Sequence, residues 1–405
     1  MLESMEPQHL TQGSASEVFR VFLKLGVTSF GGPIAHLGYF RAELVDRRRW
    51  LDDQQYAQLV ALSQFLPGPA SSQVGFGLGL HRAGLRGALA AFLAFTLPSA
   101  VLLAVFAYGA SLFTGQLGTG LLTGLKIVAV AIIAQAVMGM AKSLAPDRTR
   151  ASIAVVAAGS ALLLAGSLGQ IAAIAFGAVA GYCFCREKDG AAGAGLSLPV
   201  SRALGITCLC AFALLLVGLP MLALATGSDL LAFLDAFYRS GALVFGGGHV
   251  VLPLLQSALV EPGWVSEQQF LTGYGAAQAV PGPLFTFAAF LGVLAESGPG
   301  GLLGSALALL AVFLPGFLLL LGVLPFWNRI SSWPRARAAM RGANAAVVGV
   351  LAAALYDPVF TSAITSAASF MLALLCLVLL TAWKTAPWIV VVMAAAGGVL
   401  LGLLP

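Results

Sequence analysis

The chain has 405 residues, of which 59% are apolar and only 9% charged, with a formal net charge of +5. At a mean hydropathy of +0.95, no water-soluble fold of this length could hide so much hydrocarbon behind so few charges, so the solvent is a bilayer and there is no room for a second soluble domain. The positive charge does not point to nucleic acid, because Lys and Arg are scattered in short loops between apolar stretches, where they mark topology.

Residues 1–12 are polar and carry Glu3 and Glu6, without the basic start and apolar run of a secretion signal, so a cytoplasmic tail over 1–15 is expected. Two pairs of short elements follow, 18–30 with 34–45 and 54–66 with 70–80. At 1.5 Å per residue each covers roughly 15 to 20 Å, about half of a ~30 Å hydrocarbon core, so each pair reads as a re-entrant helical hairpin. Four long apolar stretches come next, at 85–113, 117–141, 151–165 and 171–184. A polar, Gly-rich linker at 187–197 and one span at 204–225 lead to a second set at 301–327, 338–355, 362–383 and 388–404. Cys183 with Cys185 and Cys208 with Cys210 form C-x-C pairs, but no His stands at ligand spacing, so inert thiols are expected and neither a metal nor a cofactor.

The second set is a copy of the first. S-F-G-G-P ends at Pro33, W-L begins at Trp50, Q-F-L-P-G-P ends at Pro69 and L-P ends at Pro98; V-F-G-G-G, W-V, Q-A-V-P-G-P and L-P recur later. Phe245 follows Phe30 by 215 positions, Trp264 follows Trp50 by 214, Pro283 follows Pro69 by 214 and Pro315 follows Pro98 by 217. Four landmarks in one order at one spacing constitute an internal repeat. If each half crosses the membrane an even number of times, the unmatched span at 204–225 makes the second half enter from the opposite face. Charge agrees: Arg41, Arg47, Arg48, Arg49, Arg82 and Arg86 crowd the early loops of the first half, while the matching loops of the second carry Glu261, Glu267 and Glu296. The expectation is an all-α polytopic membrane protein of two homologous halves in inverted topology. Each half has two re-entrant hairpins and about four long spans. The domains are a tail at 1–15, a first repeat at 16–185, a linker and unmatched span at 186–227, and a second, inverted repeat at 228–405.

The hairpin tips are the candidate anion site. Gly31 and Gly32 can end one helix and Pro33 suits the first turn of the next; Gly246, Gly247 and Gly248 stand at the equivalent tip. Pro67, Gly68 and Pro69, and again Pro281, Gly282 and Pro283, break the chain ahead of helix starts whose free N–H groups face mid-membrane. Helix N-termini bind anions without a dedicated cation. Ser71, Ser72 and Thr286 add hydroxyls, Gln64 and Gln278 precede the P-G-P tips, and Phe30 flanks the first. Lys24 and Arg239 are equivalent by the repeat, and Lys126, with Asn344 as its counterpart, lies about 13 Å along its span, which makes all three functional candidates against the plainer reading of snorkelling side chains. His36 and His249 follow the first tips and are candidates for proton coupling, as are Glu43, Asp46 and Asp235, although a helix-face histidine that merely bonds a neighbour is the commoner finding. Gly177 and Gly181 form a G-x-x-x-G, most simply a helix-packing contact.

S-F-G-G-P followed by F-R-A-E-L-V-D-R-R-R-W-L and Q-F-L-P-G-P, with the second copies F-G-G-G-H and Q-A-V-P-G-P, resembles the chromate transporter family in its long, two-domain form. The resemblance runs from about residue 18 to the end. It marks Phe30, Gly31, Gly32, Pro33, Arg41, Glu43, Trp50, Pro67, Gly68 and Pro69, with Phe245, Gly246, Gly247, Pro281, Gly282 and Pro283; Gly248 departs from it where the first half has Pro33. It implies export of chromate across the bacterial inner membrane and chromate resistance; sulfate, which shares chromate's charge and tetrahedral shape, is the expected competitor.

No phosphate-loop motif occurs, so the driving force is a gradient rather than ATP. A dianion leaving a negative cytoplasm gains about 4.6 kcal/mol per 100 mV, enough at ~1.4 kcal/mol per decade for more than a thousandfold gradient. The rival readings are a sulfate or other oxyanion carrier, an intramembrane enzyme acting on a lipid phosphate, and a pore. The enzyme would need a nucleophile or metal ligands at the tips, and no H-E-x-x-H or paired acidic motif stands there. The chain is expected not to be an enzyme, to partner the bilayer, and to have a cytoplasmic N-terminus and periplasmic C-terminus; a homodimer is left open.

Overall fold

A computed structural model describes residues 13–109, 115–164, 167–185, 198, 200–246, 248–331 and 333–403. The linker at 187–197, the first twelve residues and Gly247 lie outside the described residues. Among the described residues every regular element is helical.

Helix starts follow local sequence. α1 (Ala15–Thr28) is capped by Ser14, whose Oγ accepts the Glu17 N–H at 3.1 Å, an arrangement worth about 1 kcal/mol. The chain reverses through Gly31 and Gly32, at φ 101° and 79°, where a side chain would be strained. It enters α2 (Gly32–Phe40) with Pro33 in the first turn, and α2 widens into a π-helical turn over Arg41–Arg47. α3 (Asp53–Phe65) starts on a capping box of Asp52 with Gln55, and the equivalent helix of the second half repeats it with Ser266 and Gln269. α4 spans Ala70–Gly109 but breaks at Ala83 and Gly84, so that a short first limb folds back on a long second one. Gly79 and Gly87 permit the approach: a Cβ on Gly79 would lie 2.4 Å from the Gly87 carbonyl oxygen.

α5 (Gly115–Leu144), α6 (Arg148–Leu163) and α7 (Ser167–Phe184) complete the first half. α8 (Arg202–Thr226) is the unmatched span, with Leu214, Met221 and Leu224 exposed along it. The second half comprises α9 (Asp229–Ala242), a 3-10 turn (Gly248–Val250) into α10 (Val251–Leu259), α11 (Glu267–Ala277), a 3-10 turn (Leu284–Thr286) into α12 (Phe287–Leu294), and α13 (Gly301–Val323). It continues with α14 (Trp327–Ser331), α15 (Pro334–Ala354), α16 (Thr361–Ala363), α17 (Ala367–Thr381) and α18 (Pro387–Leu403). The break inside α4 is answered by residues 295–300 between α12 and α13, where Gly292 and Gly304 make the same close approach. That longer connection explains why Pro315 follows Pro98 by 217 positions while the earlier landmarks keep 214 or 215.

Five helical runs are long and apolar enough to cross a membrane: Ala70–Gly109, Gly115–Leu144, Arg202–Thr226, Gly301–Phe326 and Pro334–Ala363. The four long stretches of each half are thus two long helices and two shorter ones. α6, α7, α17 and α18 have 16, 18, 15 and 17 residues, below the ~20 that a straight crossing needs. The stretch at 362–383 is divided, because Ser366 and Ser369 form a capping box that starts α17 afresh.

The halves exchange helices. α15 packs between α6 and α7, and α5 between α17 and α18. Small residues set these contacts, since lipid tails are as apolar as Leu and close van der Waals approach is what holds helices together. A Cβ on Gly342 would lie 2.0 Å from the Gly177 carbonyl oxygen and 2.5 Å from Gly181 Cα. On the other side a Cβ on Gly124 would lie 2.1 Å from the Ala394 carbonyl oxygen, and Gly398 meets Gly120 and Gly124 in the same way. The G-x-x-x-G of Gly177 and Gly181 is therefore a packing contact, and it has a counterpart. Gly342→Leu is expected to abolish the monodisperse peak of the detergent-solubilised protein in fluorescence size-exclusion chromatography, because backbone on α7 cannot yield. Gly218→Leu on α8, where a Cβ meets nothing within 4 Å, is expected to elute as the wild type.

Candidate functional site

The four tips meet, and they do so reciprocally. The Gly68 N–H donates to the Val244 carbonyl at 2.7 Å, and the Gly282 N–H donates to the Ser29 carbonyl at 2.9 Å. Each P-G-P tip thus bonds the chain just before the G-G tip of the other half, and the repeat maps one bond onto the other. Gly68 and Gly282 have φ 124° and 102°, which glycine alone adopts at ease. Each P-G-P tip also lies on the residue after the proline inside the long helix of the opposite half. Gly68 packs on Gly316 beyond Pro315, and Gly282 on Ser99 beyond Pro98. The first tips touch as well: a Cβ on Gly248 would stand 3.0 Å from Pro33 Cγ. A proline at 248 would collide there, which gives the departure from the first copy a steric reason.

Backbone is arranged alike in the two halves, but side chains are not. On the first-half side, Ser29, His36, Ser63, Ser72, Gln73 and Thr96 are all buried, and each has a polar atom without a hydrogen-bond partner. Their repeat equivalents are Val244, Val251, Ala277, Thr286, Phe287 and Phe313. His36 Nδ1 lies 3.4 Å from Ser71 Oγ, its ring faces the Ser29 carbonyl and it stands edge-on to Phe95 at 5.3 Å. Gln73 Nε2 donates to the carbonyls of Pro67 and Gly316, tying the tip to α13 and leaving Oε1 unpartnered. The Gln73 N–H bonds the Pro69 carbonyl at 2.8 Å, so α4 starts at once as an α-helix and leaves the N–H groups of Ala70, Ser71 and Ser72 without a helical acceptor. In the second half the Thr286 N–H and hydroxyl both bond Pro283, at 3.0 and 2.7 Å. Ser72 and Thr286 are equivalent in position only: one hydroxyl is free within the chain, the other closes its own 3-10 turn.

The remaining candidates sit apart from this cluster or on its second-half side. Asn344 Oδ1 is buried, unpartnered and beside Gly246. His249 Nδ1 meets the Tyr274 hydroxyl at 2.7 Å, with Gln278 against the same hydroxyl, whereas Gln64 is exposed. Phe30 stacks obliquely on Trp388 at 6.1 Å. Each of the three cations faces a carboxylate. Lys24, 58% exposed, lies 3.9 Å from Glu43; Arg239 pairs with Asp235; Lys126, half-buried on α5, faces Glu267. A cation with its own counter-ion attracts a second anion weakly, so the electrostatics of the tips come from helix starts. Among the described residues no three His, Cys, Asp or Glu side chains gather as metal ligands.

Both tip motifs fall inside a known family. The chromate transporter family model matches residues 16–182 and 231–399. The chain belongs to the chromate transporter family. The two matches leave only α8 and its flanks between them, and each contains one full set of tips. A chromate transport protein of Pseudomonas aeruginosa is 31% identical over 395 residues, 95% of this chain and 91% of its own. Another from Cupriavidus metallidurans is 28% identical over 390 residues, 94% and 91% of the two chains. An uncharacterized transporter of Methanocaldococcus jannaschii is 29% identical over 321 residues, 78% and 77%. No solved structure matches the chain.

At the base of the first hairpin, outside the apolar region, Glu43 is 11% exposed and contacts Arg48, Arg47 and Lys24 at 2.8, 3.0 and 3.9 Å. Burial alone would raise its carboxyl; the hydrogen bonds from Arg48 and Arg47 and the Lys24 charge overcome this and hold it below the usual range. Ionised and thrice bonded, Glu43 braces the hairpin. A depressed carboxylate contributes stability that is present above its unfolded value of ~4.3 and lost as pH falls through the folded one. Glu43→Gln is therefore expected to lower the melting temperature in detergent at neutral pH. The gap to wild type should close as the pH drops below about 4, and a gap that persists there would contradict an ionic brace.

Proposed function

We propose that this chain exports chromate as a tetrahedral dianion across the bacterial inner membrane and confers chromate resistance. Two repeats, 16–185 and 228–405, are inserted in opposite senses because α8 crosses once between them, with the N-terminal side in the cytoplasm. α1 with α2 and α3 with the first limb of α4, and their copies, are re-entrant hairpins whose tips meet near mid-membrane. Irregular backbone at that depth is tolerated only against protein or a wet pathway. Family membership and the names of the relatives support the substrate. Voltage favours outward movement of a dianion without a co-substrate. Transport proceeds by alternating access, one half-bundle rocking against the other around a fixed site.

The start of α4 carries this reading. Three N–H groups without helical acceptors, the Ser72 hydroxyl and the unpartnered Nε2 of His36 present hydrogen bonds at the positive end of a helix, which is what an oxyanion's oxygens require. With Thr286 and the Phe residues around it on the other side, the anion has one polar wall and one apolar wall. Glu43, salt-bridged at the hairpin base, is a brace rather than a proton carrier in this scheme. Sulfate shares the charge and shape and competes for the same donors.

Chromate retention in energised bacteria expressing the chain tests this. Wild type should lower retention against empty vector, with relief by excess sulfate. Ser72→Ala should lose roughly tenfold or more of the export rate, as expected for one hydrogen bond to a charged group, while Thr286→Ala should stay near wild type. Equal effects of the two substitutions would refute the one-sided site, and unchanged retention with inserted wild-type protein would sink the chromate assignment.

A further inference from the structure

Beside the tips, α9 borders a cavity of about 530 Å3. It runs from Ser228, Asp229 and Trp264 at one end to Ser240 and Leu243 at the other, next to the Val244 carbonyl that holds the first P-G-P tip. Within it the Arg239 guanidinium donates to Asp235 Oδ2, one turn away on the same helix. The Asp235 side chain is only 8% exposed, and its Oδ1 has no hydrogen-bond partner. A buried carboxylate with half its acceptor capacity unused is a costly arrangement that calls for a reason. The repeat does not supply one: the equivalents of Asp235 and Arg239 are Arg20 and Lys24, both exposed cations, so the acid is peculiar to the second half. Asp229 at the mouth is the other charged residue lining the cavity. α8, α10 and Ile171 of α7 contribute uncharged side chains to it, α13 on the far side of α9 carries no charge, and Glu261 lies beyond Ser257, which it bonds.

We propose that this cavity is a second anion station, in which a tetrahedral oxyanion and Asp235 compete for Arg239, so that anion binding is linked to uptake of one proton by Asp235. While Asp235 is ionised, Arg239 is occupied and an incoming dianion meets a carboxylate of its own sign. Transfer of one proton from water to the carboxylate removes that repulsion, frees the guanidinium fork for two parallel bonds to the anion, and leaves a neutral hydroxyl as a further donor. The hydrogen bond from Arg239 to Asp235 is exchanged for those to the anion, and no covalent bond other than the carboxyl O–H is made. The inference rests on the reading of the chain as an oxyanion carrier and adds a proton-linked step to it. The oxyanion is either free in water or borne on a lipid headgroup, because the apolar wall of Pro220, Ala223 and Leu224 belongs to α8, the least buried of the candidate spans.

Titration calorimetry of the full chain in phosphatidylcholine nanodiscs, with sulfate as probe, decides it. At pH about 5.5 a second sulfate should bind with buffer-dependent heat from proton uptake, and its affinity should fall by about tenfold or more by pH about 8. Asp235→Asn should hold that affinity constant across the range. Arg239→Gln should remove the second sulfate alone, and Ser72→Ala the first alone. The neutral double variant Asp235→Asn with Arg239→Gln, which keeps the cavity's shape, should melt as wild type and still bind the first sulfate. Loss of the second sulfate in phosphatidylglycerol nanodiscs would identify the headgroup as its natural occupant. pH-independent binding, or a second sulfate that survives Arg239→Gln, overturns the station while leaving the tip site standing; no sulfate at either site counts against the carrier reading itself.

Discussion

The architecture depends on where backbone N–H and C=O groups go when a helix ends inside the protein. Water cannot satisfy them there, and each unpaired group costs several kcal/mol. Here the two P-G-P tips solve the problem for each other's half: Gly68 bonds the carbonyl of Val244 and Gly282 that of Ser29. Neither half can end its hairpins alone. A single pair of bonds related by the repeat sets the tips face to face, places each on the residue after the proline of the opposite long helix, and brings Pro33 against Gly248. Reciprocity of this kind is what a two-fold relation between halves generates.

On that symmetric scaffold the chemistry is one-sided. Ser71, Ser72, Gln73 and Thr96 occupy one copy where Phe285, Thr286, Phe287 and Phe313 occupy the other. The apolar copy packs tightly, with Phe287 among Phe270, Tyr274 and Phe290, and Phe313 against Phe285 and Phe317. The polar copy keeps buried atoms without partners. A duplicated chain can divide labour in this way, one copy supplying rigidity and the other an interior with unspent hydrogen-bonding capacity. The same division recurs farther out, where Asp235 has no acidic counterpart in the first half.

Much of this was legible beforehand. The tips, the unmatched span and the break after residue 80 follow from Gly, Pro and hydropathy, whose effects are local. The capping boxes at Asp52 with Gln55 and Ser266 with Gln269 were passed over, although their spacing of three stands in the sequence. The partners of the charges were not: Lys24 and Arg239 share a repeat position, yet Lys24 meets Glu43 from another element and Arg239 meets Asp235 on its own helix. Ser29, Gln73, Thr96 and Ser99 were missed because attention to what the two copies share hides what they do not. A residue-by-residue comparison of the copies would have found them. The stretch at 362–383 was drawn too long because hydropathy does not register where Ser366 restarts a helix.

The exchange of helices between halves bears on biogenesis. The small-residue face of α5 closes only on α18, and that of α7 only on α15. During synthesis the first half therefore emerges with its tightest contact surfaces uncovered, through the making of α8 and most of the second half. α18, which seals α5, leaves the ribosome only after α1 to α17. Quality control would then see an unfinished protein until almost the whole chain is in the membrane, and a message truncated before α18 would yield a product with an open seam rather than a smaller working unit.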